Sequence, residues 1–552
     1  MSVTGSGASI LVRNGRAFQA NGFVVDGDVL VEDGKIRAVG PDAAAAAAPG
    51  VAELDARGGL VAPGFQDAHV HPFHGGSALM SLDLSQVGSG AECLAAIGAY
   101  AQANPDKEWI RGANWALGWF DNGLPTRQML DSVVPDRPAY MRNRDGHGAW
   151  FNTRAMEIAG ITADTPDPFE GRIEHTADGE VLGMVQELAM NLITDHIPRA
   201  SDAEMDEGFR RANDVMLSWG ITAWQDAQVG ASKENRDQLD AYIRASHSGV
   251  LRSHVVGALR WTPERGLEQI DDLLERRERS FAANPNFRAT TVKIFQDGIA
   301  ENFTAAMLSP YLDCCGNVTS NSGRSWVDPE LLKEAVAALA AHDFQVHFHS
   351  LGDRAVRESL DAVEYAREKH GEKDLRHTLS HIQVVHPDDV PRFAELDVVA
   401  NCQPLWARHE EQIDVLTTPY LGPRRNRWQY PFAAIQRTGG KLAIGSDWPV
   451  STGNVVELLH TAVNRSGVAA KGEDPLPFLG EQALSLNDSL VAATEGVAYL
   501  NHDEHRSGSL EIGKDGDIVV LDRDVFDRPL AEIGESAVDY TIIGGDIVFE
   551  RN

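Results

Sequence analysis

The chain has 552 residues, too many for one small hydrophobic core, since single cores stop growing near about 250–300 residues. A hydrophobic content of 43% with 24% charged residues excludes wholesale disorder. The formal net charge of −32, from 49 Lys and Arg against 81 Asp and Glu, repels phosphate backbones and anionic lipid surfaces, so no nucleic-acid or membrane partner is expected.

Residues 8–60 alternate short apolar runs with turns, as in ASILVRNGRAF and GFVVDGDVLVEDGKIRAVG, with Asn-Gly and Asp-Gly at turn positions. The alanine run 43–48, closed by Pro-Gly, reads as a loop between strands. The far end repeats the texture in SGSLEIGKDGDIVVLDRD and DYTIIGGDIVFERN. Segments 1–60 and 501–552 are therefore expected to complete one small β-sandwich domain.

Segment 61–75 reads as the first strand of a second domain and contains GFQDAHVHP. Side chains alternate along a strand, so His69 and His71 share a face, joined by Asp67. Three polar groups on one buried face are costly unless they hydrogen-bond or hold a cation. Residues 76–218 are too many for a loop and predict an inserted subdomain. It is aromatic-rich, with Trp109, Trp115, Trp119, Phe120, Trp150 and Phe151 near Arg142, Arg144, Asp145 and His147. Core packing accounts for most of these rings, and a substrate wall or lid for a few. The expected substrate contacts are Trp115, Trp119, Arg144 and His147.

Between 219 and 500, apolar strands alternate with helical stretches: 220–229, 251–259, 289–298, 344–353, 376–385, 397–406 and 441–450, with helices such as DPELLKEAVAALAAH and DRAVRESLDAVEYAREKH between several of them. With the first strand these make eight, which predicts a closed (β/α)8 TIM barrel. Barrel chemistry sits at the C-terminal strand ends, and those ends carry His69, His71, Lys293, His349, His381 and Asp447. His347 lies deeper on the strand of His349 and reads as a hydrogen-bonded core histidine, and His386 as a residue at a helix start. Asp67, one step below His69, is expected to orient an imidazole rather than bind metal.

Cys93, Cys314, Cys315 and Cys402 form no convincing disulfide framework, the adjacent pair least of all. With no export signal or apolar span of about 18 residues, a reducing cytoplasmic location is expected. A small-molecule substrate is the expected partner, with homodimerisation left open.

HVH with Asp67 ahead of it, VKIFQDG, HSLGD, SHIQ and GSDWPV, in this order, resemble the metal-dependent amidohydrolase superfamily. Within it they resemble the long-insert branch that includes N-substituted formamide deformylases, and DGHGAWFN at 145–152 extends the likeness into the insert. The resemblance implies that His69, His71 and Asp447 bind one metal and that His349 and His381 bind another. It implies that Lys293 bridges both after carboxylation by carbon dioxide. Such a lysine must first be neutral, which burial and nearby positive charge favour. An ion pair between Lys293 and Asp297 or another barrel carboxylate would leave a single metal instead. Zn²⁺ suits the ligand set. The expected reaction is hydrolysis of an amide-type C–N bond by a metal-acidified water, with Asp447 moving the proton and a metal and His147 stabilising the oxyanion. The substrate expected is an N-substituted amide or formamide with a hydrophobic group. Carbamate, cyclic-amide or ester hydrolysis, lyase chemistry on the same barrel, and an inactive scaffold are the competing readings.

Overall fold

A computed structural model describes residues 8–19, 24–85, 87–120, 124–143, 148–168, 171–231, 236–281, 286–410, 412–468 and 475–551. The chain divides into two compact units, one of Met1–Pro72, Asn213–Gly230 and Tyr242–Asn552, the other of Phe73–Ala212 and Ala231–Ala241.

The first unit holds eight parallel strands in sequential order: β1 Phe65–Val70, β2 Ile221–Val229, β3 His254–Arg260, β4 Phe287–Phe295, β5 Gln345–Ser350, β6 Thr378–His381, β7 Val399–Cys402 and β8 Leu442–Ile444. All eight fall where apolar runs predict them. Near-continuous burial along each explains the run of apolar residues in place of a clean alternation. Helices such as Pro329–Ala341 and Asp353–His370 cross between them. The first of these starts on Asp328, whose carboxylate accepts from the N–H groups of Glu330 and Leu331, with Pro329 at the first helical position. The barrel seam between β8 and β1 is made just beyond the end of β8: Asp447 N donates to His69 O at 2.7 Å, and His71 N donates to Trp448 O at 2.9 Å.

Strands from both chain ends form a separate sheet. Its order is Asp546–Glu550, Val538–Ile543, Ile518–Leu521, Leu60–Pro63, Ile10–Phe18, Val24–Glu32 and Lys35–Gly40, with Ala52–Asp55 added beside Ile10–Phe18. Leu60–Pro63 runs antiparallel to Ile518–Leu521 and so joins the two ends. Gly59 is required there, because a Cβ would lie 1.9 Å from Leu521 O. The alanine run departs from expectation: Ala43–Ala46 forms one turn of helix, and Ala43 packs against Leu11 and Leu30, giving the turn an apolar seat that a loop would lack.

The second unit contains a six-stranded sheet ordered Gly171–His175, Val181–Glu187, Gly148–Phe151, Ala139–Asn143, Ile110–Trp115 and Leu82–Asp83. Apolar clusters pack around it, one on Trp115 and Trp150, the other on Phe151, Ile173 and Val185. The four cysteines are free thiols, and the exposed sulfurs of Cys314 and Cys315 lie 3.9 Å apart. Among the described residues, no helix is long and apolar enough to cross a membrane.

Candidate metal centre

The period of β1 places His69 and His71 together, and the seam of the barrel brings Asp447 to them. Asp447 Oδ1 lies 3.2 Å from His69 Nε2 and 3.1 Å from His71 Nε2. All three are buried or nearly so. Asp447 and His381, which ends β6, both adopt positive φ, at 57° and 77°. Non-glycine residues rarely do so, and strain of this kind collects at functional sites.

The proton arrangement on His69 can be followed from the backbone. Gln345 Nε2 donates to the carbonyls of Arg376 and Leu500, both at 2.8 Å, which leaves Gln345 Oε1 as an acceptor. Gln225 Nε2 donates to that oxygen at 2.8 Å, so Gln225 Oε1 is an acceptor in turn and receives the Nδ1–H of His347 at 2.5 Å. His347 Nε2 then accepts, from the Ser380 hydroxyl at 2.6 Å and from His69 Nδ1 at 2.8 Å. His69 therefore carries its hydrogen on Nδ1 and turns a bare lone pair on Nε2 towards Asp447. Burial, then the Lys293 charge, hold the His69 imidazole well below its ordinary pKa, which keeps it neutral. Two acceptors face each other across 3.2 Å, an arrangement that a cation between them resolves. His347 is thus a core histidine that orients a neighbouring imidazole, as its depth in the strand predicts.

On the other side, Lys293 of β4 is 1% exposed, and burial pushes its amine down to about 7 against the pull of Asp447 and Asp226. Burial and Lys293 push His349 down to about 3, and burial with His349 and His69 holds His381 well below the usual imidazole range. The rings of His349 and His381 lie 4.5 Å apart. His381 Nδ1 is buried with no hydrogen-bond partner among the described residues. For Asp447, burial alone would raise the carboxyl, but the hydrogen bond and charge of His71, with His381 and Lys293, hold it below the ordinary carboxylate range. The donors are four imidazoles, a low-pKa carboxylate and a deprotonatable amine, a set that fits a divalent metal of the zinc type.

One alternative is set aside and one expectation changes. Asp297 does not engage Lys293: its carboxylate accepts from the N–H groups of Ala306, Leu351 and Gly352 at 2.9–3.0 Å, bracing the loop after β4. Asp67 orients backbone instead of an imidazole. Its Oδ1 accepts from His69 N at 2.9 Å and Ser446 N at 3.0 Å, and its Oδ2 accepts from the Ser446 hydroxyl at 2.5 Å, stapling the two sides of the seam together. Sequence reasoning missed Gln225, Ser380 and the neighbouring Asp226, which Tyr242 Oη holds at 2.7 Å. The only advance signal was the polar pair Gln-Asp inside the apolar run of β2.

Of the expected substrate contacts, Arg144 and His147 lie outside the described residues. Trp115 is fully buried, with its indole N–H donating to Met141 O at 2.8 Å, and belongs to the core of the second unit. Trp119 is half-buried against the same core. A second grouping, His254, Asp515 and Asp517, has ligand-like spacing, but Lys35 at 2.5 Å and Arg506 at 2.8 Å already neutralise Asp515, and it reads as an ion-pair joint.

Comparison with known proteins agrees with this geometry. The chain is 27% identical to the N-substituted formamide deformylase of Arthrobacter pascens, over 95% of each chain. It is 27% identical to the putative amidohydrolase YtcJ of Bacillus subtilis, over 95% of this chain and 96% of the relative. It is 28% identical to Protein LONG AFTER FAR-RED 3 of Arabidopsis thaliana, over 98% and 91%. Among solved structures, an uncharacterized metal-dependent hydrolase from Pyrococcus furiosus superposes with a TM-score of 0.74 at 24% identity, over 94% of this chain and 99% of that one. A barrel that gathers four histidines, a lysine and an aspartate at one end, and a match of residues 52–549 to the amidohydrolase family description, place this chain in that family: it is a metal-dependent amidohydrolase-type hydrolase.

Proposed function

We propose that the enzyme hydrolyses an amide-type C–N bond of an N-substituted amide or formamide carrying a hydrophobic group. His69, His71 and Asp447 would hold one divalent metal, and His349 and His381 a second, with Lys293 between them. Bound there, zinc-type ions supply Lewis acidity, which acidifies water and polarises a carbonyl. The observation that carries the reading is the bare Nε2 of His69 facing Asp447 Oδ1 at 3.2 Å. A relative named for deformylation of N-substituted formamides, alike over 95% of both chains, supports the substrate class.

The residues of the chain supply the rest. Asp447, kept ionised at neutral pH, accepts the proton that the attacking water loses and returns it to the departing nitrogen, which must be protonated to leave. The Lys293 amine, pushed down to about 7, is available at neutral pH to attack carbon dioxide: an N–C bond forms, one N–H proton leaves, and an anionic carbamate remains. The hydrogen-bonded chain from Gln345 through Gln225 and His347 fixes the His69 ring and its tautomer. The test is a screen of N-substituted formamides, acetamides and cyclic amides, with liberated primary amine as readout, before and after chelator treatment. Amine release that chelator abolishes and zinc restores is expected. No release from any amide by zinc-loaded protein overturns the reading.

A further inference from the structure

The insert's tryptophans were the natural place to seek an aromatic wall, yet the rings best placed for that role stand on the barrel itself. Trp326 is 47% exposed and stacks beside His349, centroids 6.4 Å apart and planes 14° apart. It also stacks on Phe295 of β4 at 6.0 Å. Trp406 is half-buried and stacks on His381 at 5.2 Å and 19°. The two imidazoles between them are themselves 4.5 Å apart. Trp326 does not sit on a loose segment: its main-chain N–H donates to Gln296 O at 2.7 Å, and Gln296 Nε2 donates to Val327 O and to Glu358. The adjacent Ser325 hydroxyl bonds Glu358 as well. A large apolar ring held by a braced backbone, with about half its surface open beside a candidate metal ligand, is built to meet something flat.

We propose that Trp326, with Trp406 behind the facing imidazole, forms the subsite for an aryl or arylalkyl group on the substrate nitrogen. The proposal rests on the amide-hydrolysis reading and names its substrate class. A planar group offered to an indole gains stacking that a flexible alkyl chain of similar area does not, a difference on the order of tenfold in affinity.

The experiment compares N-benzylformamide with N-butylformamide on the zinc-loaded full chain, its Trp326→Ala and Trp326→Phe variants. The parent is expected to favour the benzyl substrate. In Trp326→Ala the benzyl-to-butyl ratio of kcat/KM should fall about tenfold, through KM and not kcat, and Trp326→Phe should restore most of it. Calorimetric binding of both amides to Asp447→Asn, with and without Trp326→Ala, reads the same preference without turnover. If no amide is cleaved, the hydrolase reading fails while the binding preference still decides the subsite. A parent without benzyl preference, or a preference unchanged in Trp326→Ala, overturns the proposal.

Discussion

Tryptophan does different work in the insert and at the barrel mouth. In the insert, Trp115 and Trp150 are fully buried, each indole N–H is bound to a main-chain carbonyl, of Met141 and Thr126, and the rings meet edge to face at 6.0 Å. That is how a long insertion builds a core of its own, since a buried indole must satisfy its one donor. At the mouth, Trp326 and Trp406 keep part of their surface open and lie flat beside imidazoles. A local excess of aromatic residues therefore marks where a chain needs a core. Recognition is marked by where single rings are anchored.

The contrast can be broken by substitution. The largest effect belongs to the centre itself: Asp447→Asn should keep much of its metal by elemental analysis and lose about 10³-fold in kcat, and residual activity above about a tenth of the parent would remove its proton-transfer role. Next comes the insert core, where Trp115→Ala should cost about 3–5 kcal/mol in urea denaturation. Trp326→Ala should cost clearly less, about 1–2 kcal/mol, because only about half of its surface is buried, and equal losses in the two variants would erase the distinction between the regions. His347→Asn should weaken zinc affinity about 10–100-fold in chelator competition, because His69 Nδ1 loses its acceptor. An unchanged affinity would sever that chain of hydrogen bonds from the metal. The smallest effect is a slope. Burial raises the Asp297 carboxyl to about 7, so the folded state holds its proton more tightly than the unfolded chain. This contribution is present below about pH 4 and is lost as pH rises through about 7. Asp297→Asn should flatten that decline in urea midpoints, and an identical pH profile would show that Asp297 is not its source.

Most of the barrel was legible because its strands are rich in buried apolar residues, and several carry a histidine, lysine or aspartate at or just beyond the C-terminal end, a texture that survives without knowledge of partners. The period of two placed His69 beside His71 in the same way. What stayed hidden depends on distance along the chain. Asp67 meets Ser446 across 379 residues, and His347 meets Gln225 across 122, so neither short side chain announces its partner locally. The partners of Asp297 stayed hidden for the same reason: they are main-chain N–H groups in segments that follow it. Trp326 drew no notice because one tryptophan in a long loop has no pattern around it.

The seam of the barrel gives the centre an unusual place in the life of the chain. The main-chain bonds that join Asp447 to His69 and Trp448 to His71 close the ring of strands and, in the same act, bring the carboxylate to the two histidines. Contacts between such remote segments come late and slowly in folding. A chain emerging during synthesis thus displays a pair of histidines long before it has the carboxylate that completes the proposed site, and on that proposal tight capture of metal becomes a record that the last barrel strand has docked. Zinc uptake followed during refolding would time the completion of the barrel itself.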